Sequence, residues 1–252
     1  MKDPTRRFSD RVDNYVRYRP DYPAALIAGL RARGVLREES TWIDVGAGTG
    51  LWTRQLAPFA REVVAVEPNA DMRAAAATFL ADLPNVRLAD GAAEATGLAD
   101  ACGDVATAAQ AFHWFDRDAF ARECRRLLRP GGRVLLVWNE RETDTTPFLR
   151  GYERVLQEHA NDYREVNHQN ITRAEFAAFF GPDGYELIEH PHVQHFDYDG
   201  LAGRLLSSSY VPTAGHLRYP AMMTALRACF DAHAVDGRVA FAYTTRAYLG
   251  RM

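Results

Sequence analysis

The amino-acid sequence predicts an α/β fold in which helices cover a mostly parallel sheet. From position 41 onward, short apolar runs alternate with segments of helix length, which is typical of repeated βαβ units. The first run, TWIDV, leads into a glycine-rich turn at residues 46–50, as expected where a strand passes into a helix. The 252 residues are enough for one domain of this class with added segments.

The helices of the first half have recognisable ends. One is predicted over residues 49–59, starting at the glycine turn. Asn69 is placed to cap a second, which extends through residues 73–80, and Asp116 to cap a third, which ends at residue 128 before a Pro-Gly pair. The strands between these helices are five apolar runs, TWIDV, VVAVE, NVRLAD, DVATAA and RVLLVWN.

After Asn139 the regular alternation stops. We expect one domain over residues 1–252, with a helical cap formed mainly from residues 140–182 and 200–235 plus an N-terminal helix. Such a cap would lie beside the carboxyl ends of the strands, where open α/β sheets bind their ligands. The patterns behind this expectation are helical at 147–159, 172–180 and within 201–233, and strand-like at 185–196 and 238–248.

Composition excludes several classes of function. The net charge of −3 provides no basic field for a nucleic acid, so none is expected as a partner. Cys102, Cys124 and Cys229 show neither disulfide nor zinc-site spacing, and no metal is predicted. No segment supplies the roughly 18 apolar residues that cross a bilayer, and the first residues lack an apolar leader. We therefore expect a cytoplasmic protein, without a membrane partner, as a monomer or homodimer.

The segment IDVGAGTG at residues 43–50 is the most informative motif. Its glycines let the backbone turn tightly and approach a ligand without a Cβ in the way. The spacing is GxGxG instead of the GxGxxG of dinucleotide loops, and Asp44 before it would repel a pyrophosphate. Glu67, at the end of the second strand, can accept hydrogen bonds from both hydroxyls of a ribose. A ribose-bearing ligand without phosphates is favoured, although Asp44 as a turn cap and Glu67 as a solvated acid remain open.

Five passages, in order, resemble the motifs of class I S-adenosylmethionine-dependent methyltransferases over roughly residues 8–140. They are DVGAGTG, VEPNADM, ADGAAEATGL, AQAFHWFD and LLRPGGRVLLVWN. Within that class the chain is similar to the type 11 group, and to its trans-aconitate methyltransferase-like members through NYVRYRPDYP, SSSYVP and DGRVAFAYTTRAY. The resemblance implies a Rossmann-like seven-stranded sheet with an antiparallel last strand, S-adenosylmethionine as cofactor, and methyl transfer to a small-molecule acceptor.

The resemblance also implies a set of cofactor contacts. Glu67 would hold the ribose, Met72 would lie near the adenine, and Asp44 near the amino group. Relatives often read GDAE where this chain reads GAAE, so backbone groups at Ala92 and Ala93 are expected to read the base in place of an Asp. Tyr15, Tyr18 and Arg19 could close over the methionine carboxylate, or YRPDYP could be an extended tether. The implied cofactor-binding residues are Tyr18, Arg19, Asp44, Gly46, Ala47, Gly48, Glu67, Pro68, Met72, Ala92, Ala93 and Gln110.

His113 is the candidate catalytic base, because it follows the fourth strand and histidine as a residue type has an unperturbed pKa near physiological pH. A pocket contact and simple aromatic packing are the alternatives. A base is needed only if the acceptor is a neutral hydroxyl or amine, since a carboxylate is already anionic. Arg141 or Arg218 could orient a carboxylate, although arginine is usually a surface residue. The predicted acceptor pocket comprises His113, Trp114, Asn139, Arg141 and Tyr210.

Two other classes of function remain possible at this stage. An RNA or protein methyltransferase would show a basic groove or an NPPY-type tetrapeptide after the fourth strand, where this chain has QAFH. A non-catalytic protein that binds the cofactor or regulates a partner would bind the cofactor without turnover. The aromatic residues of the predicted cap could form a wall of the acceptor pocket or the cap's own core. These residues are Phe148, Tyr152, Phe176, Phe179, Phe180 and Tyr210.

Overall fold

A computed structural model of the chain describes residues 18–161, 163 and 171–252. Within these residues, seven strands form a single sheet. The strands are β1 (Thr41–Val45), β2 (Glu62–Val66), β3 (Val86–Ala89), β4 (Gly103–Ala109), β5 (Leu128–Arg141), β6 (Tyr185–Phe196) and β7 (Val239–Arg251). Their order across the sheet is β3-β2-β1-β4-β5-β7-β6.

The sheet confirms the predicted fold class. β1 to β5 pair in parallel, whereas β7 is antiparallel to both of its neighbours, β5 and β6. β5 begins five residues before the predicted Arg133, because Leu128 already pairs with Gly103 ahead of an irregularity in the ladder. β7 extends beyond the predicted Tyr248, because Arg251 still pairs with Arg133.

Helices connect the strands, and two of their predicted caps are confirmed. The Asn69 side chain accepts a hydrogen bond from Met72 N at 2.9 Å, and Asp116 accepts one from Ala119 N at 3.0 Å. The predicted N-terminal helix and Tyr15 lie outside the described residues. The helices are α1 (Ala24–Ala32), α2 (Leu51–Leu56), α3 (Ala70–Phe79), α4 (Arg117–Leu127), α5 (Pro147–His159), α6 (Arg173–Phe180), α7 (Tyr198–Leu206) and α8 (Tyr219–His233).

Buried side chains form three clusters. One face of the sheet packs against α4 and α6, and Phe112, Phe176 and Phe179 are buried together there. The other face packs against α1 and α2 around Trp42 and Trp52. The third cluster joins α5, α7 and α8 to the N-terminal half of β7, which extends past the carboxyl end of β5. α6 therefore contributes to the core of the sheet, whereas α5, α7 and α8 form a separate body at its ligand-binding edge.

No helix in the described ranges combines the length and the apolar character required to span a membrane.

Candidate functional site

A cleft opens at the carboxyl ends of β1, β2 and β4. The loops that follow these strands, together with the loop after β3, supply its walls, so it occupies the usual ligand position of an open α/β sheet. Its lining residues are Gly46, Gly48, Glu67, Pro68, Asn69, Met72, Ala92, Ala93, Glu94, Ala109, Gln110, Ala111, Trp114 and Phe115.

The glycine loop after β1 forms the floor of this cleft. Gly46 and Gly48 have φ values of +69° and +58°, in the left-handed region that favours glycine. A Cβ on Gly46 would lie 2.7 Å from the Cβ of Ala111, so that position admits no larger residue without movement. At Gly48 a Cβ would meet no atom of the described residues within 4 Å. The loop is therefore tightly packed on one side and open to a ligand on the other.

Glu67 ties the loops after β1 and β2 together. Its Oε2 accepts a hydrogen bond from Gly48 N at 2.8 Å, and its Oε1 accepts one from Asn69 N at 2.9 Å. The residue is only 8% exposed, which excludes the alternative of a solvated surface acid. Burial raises the pKa of this carboxyl, and the two backbone N–H groups counteract part of that effect. Each oxygen retains a second lone pair that a ligand hydroxyl can use.

Asp44 lies beneath the glycine loop and is almost completely buried. Its Oδ2 accepts a hydrogen bond from the Thr53 hydroxyl at 2.6 Å, whereas its Oδ1 has no hydrogen-bond partner among the described residues. Burial raises the pKa of Asp44 to about 7, the Thr53 hydroxyl opposes this rise, and the neighbouring charge of Glu67 adds to it. A buried carboxyl with one unused oxygen would gain from a cationic partner.

Gln110 connects the cleft to β5. Its φ of +58° is unusual for a residue other than glycine, and its amide N donates to Val137 O at 2.8 Å. Its side-chain Nε2 donates to Asn139 O at 3.3 Å. Asn139 is itself buried and receives a hydrogen bond from the Thr245 hydroxyl at 2.5 Å. The wall of the cleft at Gln110 is thus fixed to β5 and, through Asn139, to β7.

The aromatic segment after β4 divides between the core and the cleft. Phe112 is completely buried, with its ring 4.7 Å from that of Phe179. Trp114 and Phe115 line the cleft, although Trp114 was expected on the acceptor side. His113 does not line the cleft; it is half-buried, and its ring lies 4.8 Å from that of Trp114. Its predicted role as a base stays a prediction.

Arg141 belongs to a second polar cluster, at the end of β5. Its side chain is 10% exposed, which excludes a solvated surface position, and it forms an ion pair with Glu153. It also donates to the Tyr163 hydroxyl at 2.8 Å. The Tyr210 ring lies 5.0 Å from the Tyr163 ring, so Arg141 and Tyr210 share Tyr163 as a neighbour. Their place in an acceptor pocket stays a prediction. Arg218, the alternative carboxylate partner, is exposed.

Tyr18 and Arg19 attach the start of the described chain to α7. Arg19 Nη2 donates to Ser207 O at 3.0 Å, and the Tyr18 ring packs directly on Gly203. Neither residue is among those that line the cleft. Ala47 is also absent from the lining, and its N donates to Val66 O at 3.1 Å.

Three lining residues, Asn69, Glu94 and Ala109, were not predicted from the sequence. Asn69 and Glu94 each stand next to a predicted residue in a matched motif, so simple extension of those motifs would have found them. Ala111 and Phe115 belong to the matched segment AQAFHWFD, which predicts Ala111 beside the cofactor and Phe115 beside the acceptor, and both line the cleft.

Comparison with known proteins assigns the region that forms this cleft. Residues 43–136 match the sequence model of a family described as "Methyltransferase domain". These residues form a methyltransferase domain. The match includes the glycine loop, Glu67 and the segment after β4, and it ends within β5.

Similar proteins extend the comparison beyond this domain. The uncharacterized methyltransferase Rv3342 of Mycobacterium tuberculosis is 38% identical over 141 residues, covering 56% of this chain and 55% of the relative. The uncharacterized methyltransferase-like C25B8.10 of Schizosaccharomyces pombe is 33% identical over 156 residues, covering 62% of this chain and 59% of the relative. The chain thus spans less than two thirds of the length of the curated relatives that it matches.

A solved structure from Anaeromyxobacter dehalogenans, provisionally named a type II methyltransferase, matches over almost the whole chain. The TM-score is 0.68 at 27% identity, with 93% of this chain and 98% of that chain covered. The fold of the chain is therefore the class I methyltransferase fold, including the antiparallel last strand. The cofactor of such a domain is S-adenosylmethionine.

The cleft fits this cofactor chemically. Of the described residues that line it, two are acids, Glu67 and Glu94, and none is Lys or Arg. Such a lining suits hydroxyl groups and a cationic ammonium, and it disfavours the pyrophosphate of a dinucleotide. The open backbone at Gly48 and the unused oxygen of Asp44 lie at the same loop.

Proposed function

We propose that the protein transfers the methyl group of S-adenosylmethionine to a small-molecule acceptor, at an oxygen or nitrogen, with a carboxylate oxygen among the candidates. The observation that carries the proposal is the position of Glu67, which is buried, anchored by two backbone N–H groups, and faces a cleft whose described lining residues include no Lys or Arg. The net charge of −3 argues against a nucleic-acid acceptor.

The side chains of the methyltransferase domain would orient the cofactor. Glu67 accepts hydrogen bonds from the ribose hydroxyls, and Asp44 stabilises the ammonium group. Met72 packs against the adenine, whose edge is read by backbone groups at Ala92 and Ala93. Tyr18 and Arg19 close over the methionine carboxylate, and the remaining predicted contacts are Gly46, Ala47, Gly48, Pro68 and Gln110. When bound, S-adenosylmethionine supplies a methyl group on a positive sulfonium, so the protein needs mainly to align the acceptor and exclude water.

The acceptor would bind between the methyltransferase domain and the body formed by α5, α7 and α8. His113 and Trp114 bound this region on one side, and Asn139, Arg141 and Tyr210 on the other. If the acceptor is a neutral hydroxyl or amine, His113 is the base that removes its proton. If it is a carboxylate, His113 only shapes the pocket. In this proposal residues 1–252 form one domain, whose cap comes mainly from residues 140–182 and 200–235 plus an N-terminal helix and includes α5, α7 and α8.

Cofactor binding is tested by calorimetry with S-adenosylhomocysteine and with NAD. We expect the first to bind and the second not to bind, because the cleft repels a pyrophosphate. Glu67→Ala should weaken binding of S-adenosylhomocysteine by more than tenfold, since it removes two ribose hydrogen bonds. Glu38→Ala is the matched control, because Glu38 is an exposed acid that is not among the residues lining the cleft. Tighter binding of NAD, or an unchanged affinity in Glu67→Ala, would refute the assignment.

Turnover is tested by a screen of small-molecule acceptors with cofactor labelled in its methyl group. The screen includes polycarboxylic acids, to examine the resemblance to the trans-aconitate methyltransferase-like group. His113→Ala and His113→Gln are assayed on any acceptor found. Loss of turnover in both, with unchanged cofactor affinity, supports the base; undiminished turnover removes it. Cofactor binding without any methyl transfer would favour a non-catalytic cofactor-binding protein.

A further inference from the structure

Arg204 on α7 is a buried cation with an unusual set of partners. The residue is 6% exposed. Its Nε donates to the Tyr243 hydroxyl at 3.0 Å, and its Nη1 donates to Ser208 Oγ at 3.2 Å and to Ser207 Oγ at 3.5 Å. The guanidinium also lies over the Phe241 ring, 5.5 Å from its centroid. Every one of these partners is electrically neutral.

No carboxylate of the described residues pairs with Arg204. The acid of this neighbourhood, Glu153, is already engaged by Arg141 and by the Tyr163 hydroxyl, which donates to it at 2.9 Å. Arg19 lies at the same cluster, since its Nη2 donates to Ser207 O at 3.0 Å. The four charged groups Arg19, Arg141, Glu153 and Arg204 therefore sum to two positive charges. A buried charge without a counter-charge is costly, because hydroxyl groups and an aromatic face replace only part of its hydration.

Arg204 is not among the described residues that line the cleft, but β7 and β5 connect it to the Gln110 wall. Its partner Tyr243 on β7 lies opposite Arg141 in the β5–β7 ladder. Arg141 in turn follows Asn139 by two positions, and the Asn139 carbonyl accepts the hydrogen bond from Gln110 that borders the cleft. Arg204 thus lies beside β7, two strands from β4, the strand that leads into Gln110.

We propose that Arg204 is a specificity-determining residue of the acceptor site, where its guanidinium holds a carboxylate group of the acceptor. The proposal rests on the proposed methyl transfer and names the substrate class of that same site. A carboxylate would supply the missing negative charge, and the planar guanidinium suits its two oxygens. Tyr243, Ser207 and Ser208 fix the guanidinium in place, so little freedom is lost when the anion binds. Arg141, neutralised by Glu153, shapes the pocket instead of providing the free charge.

The methionine part of the cofactor also carries a carboxylate, so the test must separate two sources of the same chemistry. Three variants are compared with the wild type: Arg204→Met, Arg204→Lys and, as matched control, Arg150→Met. Arg150 is an exposed arginine of α5 whose Nη1 donates only to a backbone carbonyl, Asp144 O. Affinity for S-adenosylhomocysteine is measured first, in each protein, by calorimetry.

The acceptor probes are a panel of aliphatic and aromatic mono-, di- and tricarboxylic acids, each paired with its primary amide. With S-adenosylhomocysteine at saturation, binding is followed by the shift of the unfolding midpoint. Methyl transfer is followed with labelled S-adenosylmethionine. We expect at least one acid, and not its amide, to raise the midpoint of the wild type and to accept the label.

Arg204→Met should lower kcat/KM for that acid by at least 100-fold and abolish the midpoint shift, while affinity for S-adenosylhomocysteine stays within twofold. Arg204→Lys keeps the positive charge but loses the planar pair of N–H donors that binds both carboxylate oxygens. It should retain about a tenth of the wild-type kcat/KM for that acid. Arg150→Met should match the wild type. Without ligand, the midpoint of Arg204→Met should equal or exceed that of the wild type, because an uncompensated buried charge is removed.

Three results would overturn the proposal. The first is equal binding of acids and amides, or no binding of any acid. The second is weaker binding of S-adenosylhomocysteine in Arg204→Met and Arg204→Lys, which would assign the guanidinium to the cofactor carboxylate. The third combines two results: the unfolding midpoint of Arg204→Met is lower than that of the wild type, and Arg204→Lys turns over the acid at the wild-type level. Together they would show that Arg204 has only a structural role. Failure of the wild type to bind S-adenosylhomocysteine would instead refute the proposed function itself.

Discussion

Replacement of Asp44 by Asn tests the electrostatics of the cofactor loop. The carboxyl is 1% exposed, and its pKa rises from an ordinary 3.8 to about 7. A difference of about three pH units, at about 1.4 kcal/mol per unit, makes the ionised form about 4 kcal/mol less favourable in the folded protein than in the unfolded chain. Asn keeps the shape of the side chain and an oxygen for the Thr53 hydroxyl, but it cannot ionise.

The sign of the effect on stability follows from where the proton is held. Below about pH 4, Asp44 is neutral in both states and costs nothing. Between about pH 4 and 7, the folded protein keeps the proton that the unfolded chain has lost, so stability falls as pH rises. Above about pH 7 both states are ionised and the full cost remains. The free energy of unfolding of Asp44→Asn, minus that of the wild type, should therefore rise by about 3–4 kcal/mol across this window.

Urea unfolding at closely spaced pH values between 4 and 8 measures this difference directly. Titrating groups that do not interact with Asp44 contribute equally to both proteins and cancel in the subtraction. Glu67 is the exception, because its charge raises the pKa of Asp44. Binding of S-adenosylhomocysteine by the wild type should also strengthen as pH rises through about 7, because its ammonium favours the ionised carboxylate. In Asp44→Asn that dependence should disappear, and affinity at pH 8 should be about tenfold lower. A pH-independent difference in stability, or an unchanged affinity profile, would show that Asp44 is neither strongly perturbed nor near the ammonium.

Three further changes have defined outcomes. Glu123→Gln should lower the free energy of unfolding at pH 7 by about 2–3 kcal/mol, since the Arg126 guanidinium lowers the pKa of Glu123 to about 2. In the wild type that stability is present above about pH 4.5 and is lost as pH falls toward 2, so acid titrations of the two proteins should converge. Gln110→Gly should raise stability in urea by about 0.5–1 kcal/mol by relieving the left-handed backbone, and a loss would show that the side-chain hydrogen bond outweighs the strain. Gly203→Ala should displace the Tyr18 ring, whose Cε2 would lie 2.1 Å from the new Cβ, and weaken binding of S-adenosylhomocysteine in calorimetry; unchanged affinity would remove Tyr18 from the cofactor site.

Local chemistry made much of the first half of the fold predictable. The caps at Asn69 and Asp116 are set by a side chain and an amide three residues later, so their sequence signature is nearly sufficient. The start of β5 was misplaced because Leu128 joins the ladder by pairing with Gly103, a contact between distant positions that local propensity does not contain.

In the candidate site too, residues whose role depends on local sequence were predictable, whereas residues that depend on long-range contacts were not. Glu67 was identifiable because its role depends on the end of one strand and on the glycine loop. Arg204 had no motif, since its burial results from the docking of α7 on β7 and from a bond to Tyr243, 39 positions away. The environment of Arg141 was equally hidden, because its neutralising partner Glu153 comes from the next helix and appears as an ordinary surface acid in the sequence. Long-range pairing of charges is the information that a single sequence lacks.

β5 separates the residues of the cofactor cleft from those around Arg204. Each described residue that lines the cleft lies at or before Phe115, whereas Arg204 and its partners Ser207, Ser208 and Tyr243 all follow Asn139. The two groups meet through the side chain of Gln110 and the ladder between β5 and β7. Substitutions on the far side of β5 that keep the contacts of α7 with Tyr18 and Arg19 are therefore expected to leave the glycine loop undisturbed. For protein engineering, this favours chimaeras joined within β5, in which a relative's C-terminal part is transplanted onto an unchanged N-terminal half.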